Sequence, residues 1–395
     1  MFKTKLASRF LLILSNAMKQ ISAQVINILV SIIIINYYNA ALWGSFTSYI
    51  IFTSLIATFT SWGNKEYLLR EFSRYPAKIN QLFYEVLNAR LALLIIAIAI
   101  CFLCYNIDIA FYLAIWTISI YITQSIEVLI NFRKKFAISL LIESLLFIFL
   151  IVYLFNFTIE NVSQLIAIYS LYQLLRATIY AITFIKAINK PILKIKKQYF
   201  AEAGFFFLLS MVGFLQSRID FIIFSFFEKP ENTAIYQVIN SYFILIHAIG
   251  TFLIFPFIKN IYRLNESKVS QLQNYIIKIA PIIVLSALLL LYFMCRFIYH
   301  FELPITIYLI GILIVYPPYF YAVKIFQLFK NNQQHFVLKT GIIAIIATTI
   351  ISIVLLSIGL DFIGVMLASA VGHIYTAFCY NSVKLKDAVG EFYKP

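Results

Sequence analysis

The chain has 395 residues, 63% of them apolar and 12% charged, with a formal charge of +15 and a mean hydropathy of +0.92. A water-soluble core cannot hide that much apolar surface, so the composition excludes a soluble domain and requires hydrocarbon around the chain. The basic excess does not indicate nucleic acid, because Lys and Arg follow the loops of one membrane face, where anionic headgroups are their partners.

Residues 1–9 are basic and precede an apolar run, as in a signal peptide. Lys19 and Gln20 interrupt that run, no small-residue cleavage site follows, and it continues to Ile35, which predicts a retained first helix. Hydropathy and length predict spans at Phe10–Ile35, Leu42–Trp62, Leu82–Tyr105, Ile107–Ile130, Phe136–Phe157 and Val162–Ile185. A second set follows at Phe200–Phe227, Thr233–Phe257, Leu272–Phe293, Leu303–Phe326, Phe336–Ser357 and Phe362–Val383. With the N-terminus in the cytoplasm, Lys3, Lys5, Arg9, Lys65, Arg70, Arg74, Lys78, Arg133, Lys134, Lys135, Lys186, Lys190, Lys194, Lys196 and Lys197 fall inside. So do Lys259, Arg263, Lys268, Lys324, Lys330, Lys339, Lys384, Lys386 and Lys394, against Lys229 and Arg296 outside. The expected class is an all-α polytopic membrane protein with twelve transmembrane helices and both termini cytoplasmic.

The loops on the other face are a few residues long, around Asn36–Ala41, Asn106, Asn156–Asn161, Glu228–Asn232, Arg296–Glu302 and Gly359–Asp361. They leave no room for the catalytic and acceptor groups of a glycosyltransferase or polysaccharide polymerase, so an enzyme is not expected. The polar stretch Lys186–Tyr199 divides the spans into two sets of six: an N-lobe at 1–190, a linker at 191–198 and a C-lobe at 199–395. A shift of 193 places aligns Asn39-Ala40-Ala41-Leu42-Trp43 with Asn232-Thr233-Ala234-Ile235-Tyr236 and Arg70 with Arg263, the mark of a parallel repeat. Cys101 and Cys104 form a C-x-x-C without a second pair or nearby His. They and Cys295 and Cys379 are expected to fill space, and no metal or cofactor is expected.

Polar stripes run along several spans. Asn16, Gln20, Gln24, Asn27 and Ser31 share one helical face, as do Tyr169, Gln173, Arg176, Tyr180 and Thr183, and Ser369, His373, Thr376 and Tyr380. Tyr236, Asn240, His247 and Thr251 form a fourth stripe, and Thr117, Tyr121, Gln124 and Glu127 a fifth. Stripes of this length predict a water-filled cavity, since uncompensated polar groups in lipid are costly. Glu85, Glu127, Glu143, Glu202 and Lys278 fall within about two turns of the inner end, where long side chains reach water. Lys19, Arg90 and Arg176 lie roughly 12 Å or more inside by the helical rise, with no acid at that depth on their own helices. Either the cargo supplies their counter-charge or an interhelical pair with Glu127 or Asp220 does. Asp220 is a candidate for ion or proton coupling, and His247 and His373 are candidate protonation sites. Pro317-Pro318 can break the tenth span.

Trp43-Gly44-Ser45-Phe46, the stretch from Trp62-Gly63-Asn64-Lys65 to Arg70-Glu71, Arg218-Ile219-Asp220 and Ala234-Ile235-Tyr236 resemble the Wzx-type polysaccharide flippases of the multidrug/oligosaccharidyl-lipid/polysaccharide exporter superfamily. Phe46 stands where a Tyr is common, and Gln237 where the second half would repeat the Gly. The resemblance implies two six-helix lobes in a V, as in MATE-like exporters. It also implies transport of undecaprenyl-pyrophosphate-linked oligosaccharide across a bacterial inner membrane on an H+ or Na+ gradient. A polysaccharide polymerase and a chain-length regulator are the implied partners. Arg suits a pyrophosphate, and Tyr, Asn and Gln suit sugars. The expected substrate residues are Lys19, Arg90, Arg176 and Arg218, with Gln24, Gln173, Tyr180, Asn240 and His373. The expected coupling residues are Asp220, Glu127 and His247. A multidrug exporter of the same fold is the alternative, in which acids and aromatics would dominate the cavity.

Overall fold

The computed structural model describes residues 2–185, 194–254, 261 and 266–383, with side chains described from residue 14 onward except at 252 and 266. The side chains of Lys3, Lys5 and Arg9, residues 191–193 of the expected linker, and Lys186, Lys190, Lys259, Arg263, Lys384, Lys386 and Lys394 lie outside that description. Regular structure among the described residues is entirely helical, and twelve helices are long and apolar enough to cross a membrane. The chain forms two compact units, Met1–Phe214 and Leu215–Pro395.

The first unit contains α1 (Phe2–Tyr37), α2 (Ala40–Ser61), α3 (Asn64–Arg74), a 3-10 turn (Pro76–Lys78), α4 (Ile79–Cys104), α5 (Ile107–Arg133), α6 (Phe136–Asn156), α7 (Val162–Phe184) and most of α8 (Tyr199–Gln216). Asn39 and Asn161 start α2 and α7 as N-caps, their side chains accepting from the Leu42 and Gln164 amides at 2.6 and 2.9 Å. On α6, Leu141, Leu145, Ile148, Val152 and Phe155 are exposed at spacings of three and four, a lipid-facing stripe. The opposite face, with Ser139, Ile142, Glu143, Leu146, Leu150 and Leu154, is buried, and this turns Glu143 inward. Helix α5 is the hub of the unit, packed against α2, α3, α4 and α7.

The inner loop expected after the second span is helical instead. Trp62 and Gly63 both take left-handed backbone, φ 44° and 66°, and turn the chain into α3. A Cβ on Gly63 would lie 2.7 Å from Phe206 Cβ and 2.8 Å from the Phe207 amide, so only glycine lets α8 approach here. The Trp62 ring stacks on Phe207 at 4.0 Å and its Nε1–H donates to the Phe200 carbonyl at 3.1 Å. Lys196 pairs with Glu202 at 2.8 Å and donates to the Tyr67 hydroxyl, which itself donates to Glu202 at 2.6 Å. Partial burial works against the Lys196 ammonium, but these two partners hold it above its ordinary value. These contacts join α8 as far as Phe214 to the first unit.

The second unit contains α9 (Ile219–Phe227), α10 (Pro230–Ile254), α11 (Glu266–Phe293) with a π-helical turn at Met294–Ile298, α12 (Ile305–Val315), α13 (Pro317–Tyr321), α14 (Lys324–Lys330), α15 (Gln334–Ser357) and α16 (Asp361–Ser382). The seventh span, expected to be continuous, breaks between Gln216 and Ile219. The tenth breaks at Pro317, where proline removes a ladder donor. On α16, Gly364, Ala368 and Gly372 recur every fourth residue and let α15 pack closely; a Cβ on Gly372 would collide with Thr348 Oγ1. The repeat is not expressed at its aligned asparagines: Asn39 caps α2, whereas Asn232 lies within α10 and donates to Glu228 at 2.8 Å.

Candidate functional site

Four helices of the first unit bring an ionic cluster together. Lys19 (α1) lies 3.2 Å from Glu127 (α5), and Arg176 (α7) reaches the same carboxylate oxygen at 3.2 Å. Arg176 Nη2 also donates to Glu143 (α6) at 2.6 Å. Glu143 further accepts from the Ser22 hydroxyl at 2.6 Å and the Tyr180 hydroxyl at 2.8 Å, while Ser139 donates to Tyr180 at 2.5 Å. The Arg176 guanidinium stands 5.4 Å from the centre of the Tyr180 ring. Two cations and two carboxylates cancel. Of the two expected sources of counter-charge, the interhelical pair with Glu127 is realised in this structure, and Glu143 is added to it. Glu143, expected to reach water from near a helix end, is 4% exposed. Sequence reasoning passed over it, although a lone acid on the Ser139 face of an otherwise apolar helix was a usable sign.

Beside this cluster Asn27, Thr53, Ser54, Trp116, Glu143, Tyr169, Tyr172, Gln173 and Arg176, among others, line a cavity of about 150 Å³. Trp116 and Tyr169 face each other at 5.5 Å between ring centres, and Phe46 backs both at 5.9 and 4.7 Å. Trp116 Nε1, Tyr169 Oη, Gln173 Oε1 and Arg176 Nε are buried without a hydrogen-bond partner. An apolar groove of about 320 Å³ between α5, α6 and α7, lined by Tyr112, Ile115, Phe149, Leu150 and Leu171 among others, shares Tyr172 with the polar cavity. Gln24, a neighbour on the α1 stripe, also has its Oε1 buried without a partner, but does not line this cavity.

Arg90 stands apart and is fully buried. Its Nε–H donates to the Thr60 carbonyl at 2.8 Å, Nη1 donates to Ser125 Oγ at 3.0 Å, and the guanidinium lies 4.9 Å from the Tyr121 ring centre. Thr60 lies in the last turn of α2, so the negative end of that helix and an aromatic face stabilise the charge. Arg90 thus braces α4 against α2 and α5, with its Nη2 buried and without a hydrogen-bond partner.

In the second unit, Asp220 sits in the first turn of α9, where a helix N-terminus favours an anion. It accepts from its neighbour's amide, Phe221 N–H, at 2.7 Å and from the Tyr236 hydroxyl at 2.8 Å, and Ser369 hydrogen-bonds it as well. Arg218 occupies the break before α9, half-buried, and makes no ion pair with the described residues. Gln216 ends α8, and its Nε2–H donates to Thr376 at 2.9 Å. His247 and His373 face each other with ring centres 5.1 Å apart. His247 Nε2 lies 3.3 Å from the Ile314 carbonyl, whereas His373 Nδ1 and Asn240 Nδ2 are buried without partners. Ser369, His373 and Thr376 lie on one α16 stripe that meets all three groups. The structure therefore brings together Lys19, Glu127, Gln173, Arg176 and Tyr180 in the first unit and His247 with His373 in the second, where Asp220 is bound to Tyr236 and Ser369.

No protein-family model and no curated protein sequence matches the chain. Among solved structures it is similar to the lipid II flippase MurJ in an inward closed conformation, with a TM-score of 0.65 and 15% identity over 92% of this chain and 86% of that one. The chain therefore has a MurJ-like fold.

Proposed function

We propose that the chain is a flippase for lipid-linked oligosaccharides, carrying undecaprenyl-pyrophosphate-linked repeat units, such as those of O-antigen, across the bacterial inner membrane by alternating access. The observation that carries this reading is the meeting, at Tyr172, of a polar, aromatic-walled cavity with an apolar groove inside a bundle of MurJ-like fold. An amphiphile with a sugar head and an isoprenoid tail has that pairing of surfaces. Transport, not catalysis, is the activity, with H+ or Na+ coupling at Asp220 or at the His247–His373 pair, and polymerase and chain-length regulator as partners. The test is reconstitution into vesicles carrying a fluorescent lipid-linked oligosaccharide, with and without ion gradients. Protein-dependent loss of inner-leaflet label supports the reading, and equal rates in empty vesicles reject it.

One observation favours a second reading, an ion-coupled multidrug exporter of the same fold: the cavity has Trp116, Tyr169, Tyr172 and Glu143 in its walls and no excess of positive charge beside it. Gradient-driven export of a lipophilic dye from the same vesicles, without movement of lipid-linked sugar, would favour that reading.

A further inference from the structure

The polar cavity of the first unit is small and chemically particular. A cavity of about 150 Å³ has the size that admits one benzene-sized ring in an engineered apolar site. Here the walls are mixed. Trp116 and Tyr169, each 3% exposed, offer ring surface together with an indole N–H and a hydroxyl that have no partner. Arg176 adds an unpartnered Nε–H and Gln173 an unpartnered carbonyl oxygen, while Glu143 contributes a carboxylate. Buried polar groups without partners are uncommon in a finished site, and this set contains both donors and acceptors. A ring hydroxyl both donates and accepts, and the C–H face of a pyranose is apolar enough to lie on aromatic surface.

The charge balance narrows the class. Arg176 and Lys19 are already offset by Glu127 and Glu143, so the cavity offers no net positive charge to a phosphate or a sugar acid. We propose that it is a subsite for one neutral pyranose ring of the lipid-linked glycan. The ring's oxygens meet Trp116 Nε1–H and Arg176 Nε–H, and its hydroxyls donate to Gln173. The proposal rests on the flippase reading and adds to it where one sugar is held and what charge that sugar bears. Water is the competing occupant, since the volume holds several molecules.

The test uses the full chain in lipid nanodiscs and compares dissociation constants for geranyl pyrophosphate with those for its glucosyl, galactosyl, N-acetylglucosaminyl and glucuronyl conjugates. At least one neutral conjugate is expected to bind about tenfold more tightly than the sugarless probe, the scale that two or three net hydrogen bonds supply. The glucuronyl conjugate is expected to show no such gain. In Gln173→Leu and in Tyr169→Phe, each losing one polar group that faces the ring, the ratio should fall to about three- to fivefold; being a ratio, it does not depend on how much of each variant is folded. Equal binding of sugared and sugarless probes by the wild type would mean water only and would overturn the subsite while leaving the flippase reading intact. Retention of the ratio in both variants, or a preference for glucuronate, would also overturn it. Failure of every probe to bind would overturn the flippase reading and this proposal together.

Discussion

Glu143 is the member of the ionic cluster whose loss should cost most. Its side chain is 5% exposed and holds Arg176 at 2.6 Å, Ser22 at 2.6 Å and Tyr180 at 2.8 Å. Glu143→Gln keeps the shape and one acceptor oxygen but removes the charge, leaving Arg176 to share Glu127 with Lys19. Removing one member of a buried ion pair costs about 3–5 kcal/mol, and the amide's surviving acceptor puts the expected loss near 3 kcal/mol. At about 2 °C per kcal/mol for a unit of this size, the thermal transition in detergent should fall by about 6 °C. The double variant Glu143→Gln with Arg176→Gln restores neutrality, because Lys19 and Glu127 remain paired at 3.2 Å. It should therefore be less destabilised than the sum of the two single variants by at least about 1 kcal/mol, the coupling expected of residues in one network. A single variant within 2 °C of wild type, or strict additivity in the double, would refute the reasoning.

Arg90→Lys should lose about 1.5–3 kcal/mol, because an ammonium cannot reach the Thr60 carbonyl and Ser125 while lying over Tyr121; a thermal transition like that of wild type would contradict this. Gly63→Ala should lose about 1–2 kcal/mol from its positive φ alone, with further loss from the clash with α8, read as faster proteolysis in residues 194–203. Gly372→Val should force α15 and α16 apart, with a lower thermal transition, and a paired Thr348→Ala should recover part of it. The Lys196 clasp contributes stability below the ordinary lysine value of 10.5 and loses it as pH rises through the higher folded value. Hydrogen exchange near Lys196–Glu202 should therefore speed up beyond its intrinsic pH dependence as pH rises above 10.5 in wild type, and should not do so in Lys196→Met.

The spans were legible because hydrocarbon imposes one rule on every helix: about 20 apolar residues with their backbone paired internally. The break at Pro317 was legible for a similar reason, since proline acts on its own helix. The break at Ser217-Arg218 was not, because neither residue forbids a helix. The interhelical ion pairs were hidden by the same logic. Arg176 meets Glu143 and Glu127 only once α5, α6 and α7 are packed, and depth counted along single helices placed both acids near water. The stripe on α7 was a sound guide to where polar groups gather, since Tyr169, Gln173 and Arg176 do line one cavity. Its meaning changed, from unneutralised cations awaiting an anion to a balanced cluster with polar atoms left over.

That balance shifts the search for the pyrophosphate contact. Of the five basic residues expected within spans, Lys19 and Arg176 are paired, Arg90 is bound to the end of α2, and Lys278 is exposed. Arg218 alone among them is half-buried without an ion pair among the described residues, at a helix break where the chain leaves backbone groups of two helix ends nearby. A phosphate held by one guanidinium through charge-assisted hydrogen bonds gains about 1.5–3 kcal/mol, or roughly 10–100-fold in affinity. Arg218→Gln should therefore weaken binding of geranyl pyrophosphate by that factor while leaving the thermal transition nearly unchanged. Arg176→Gln should do the opposite, because its charge maintains structure. If Arg218→Gln binds the probe as wild type does and Arg176→Gln does not, the cluster is a phosphate cradle after all, and its neutrality in this conformation is a resting pairing that substrate displaces.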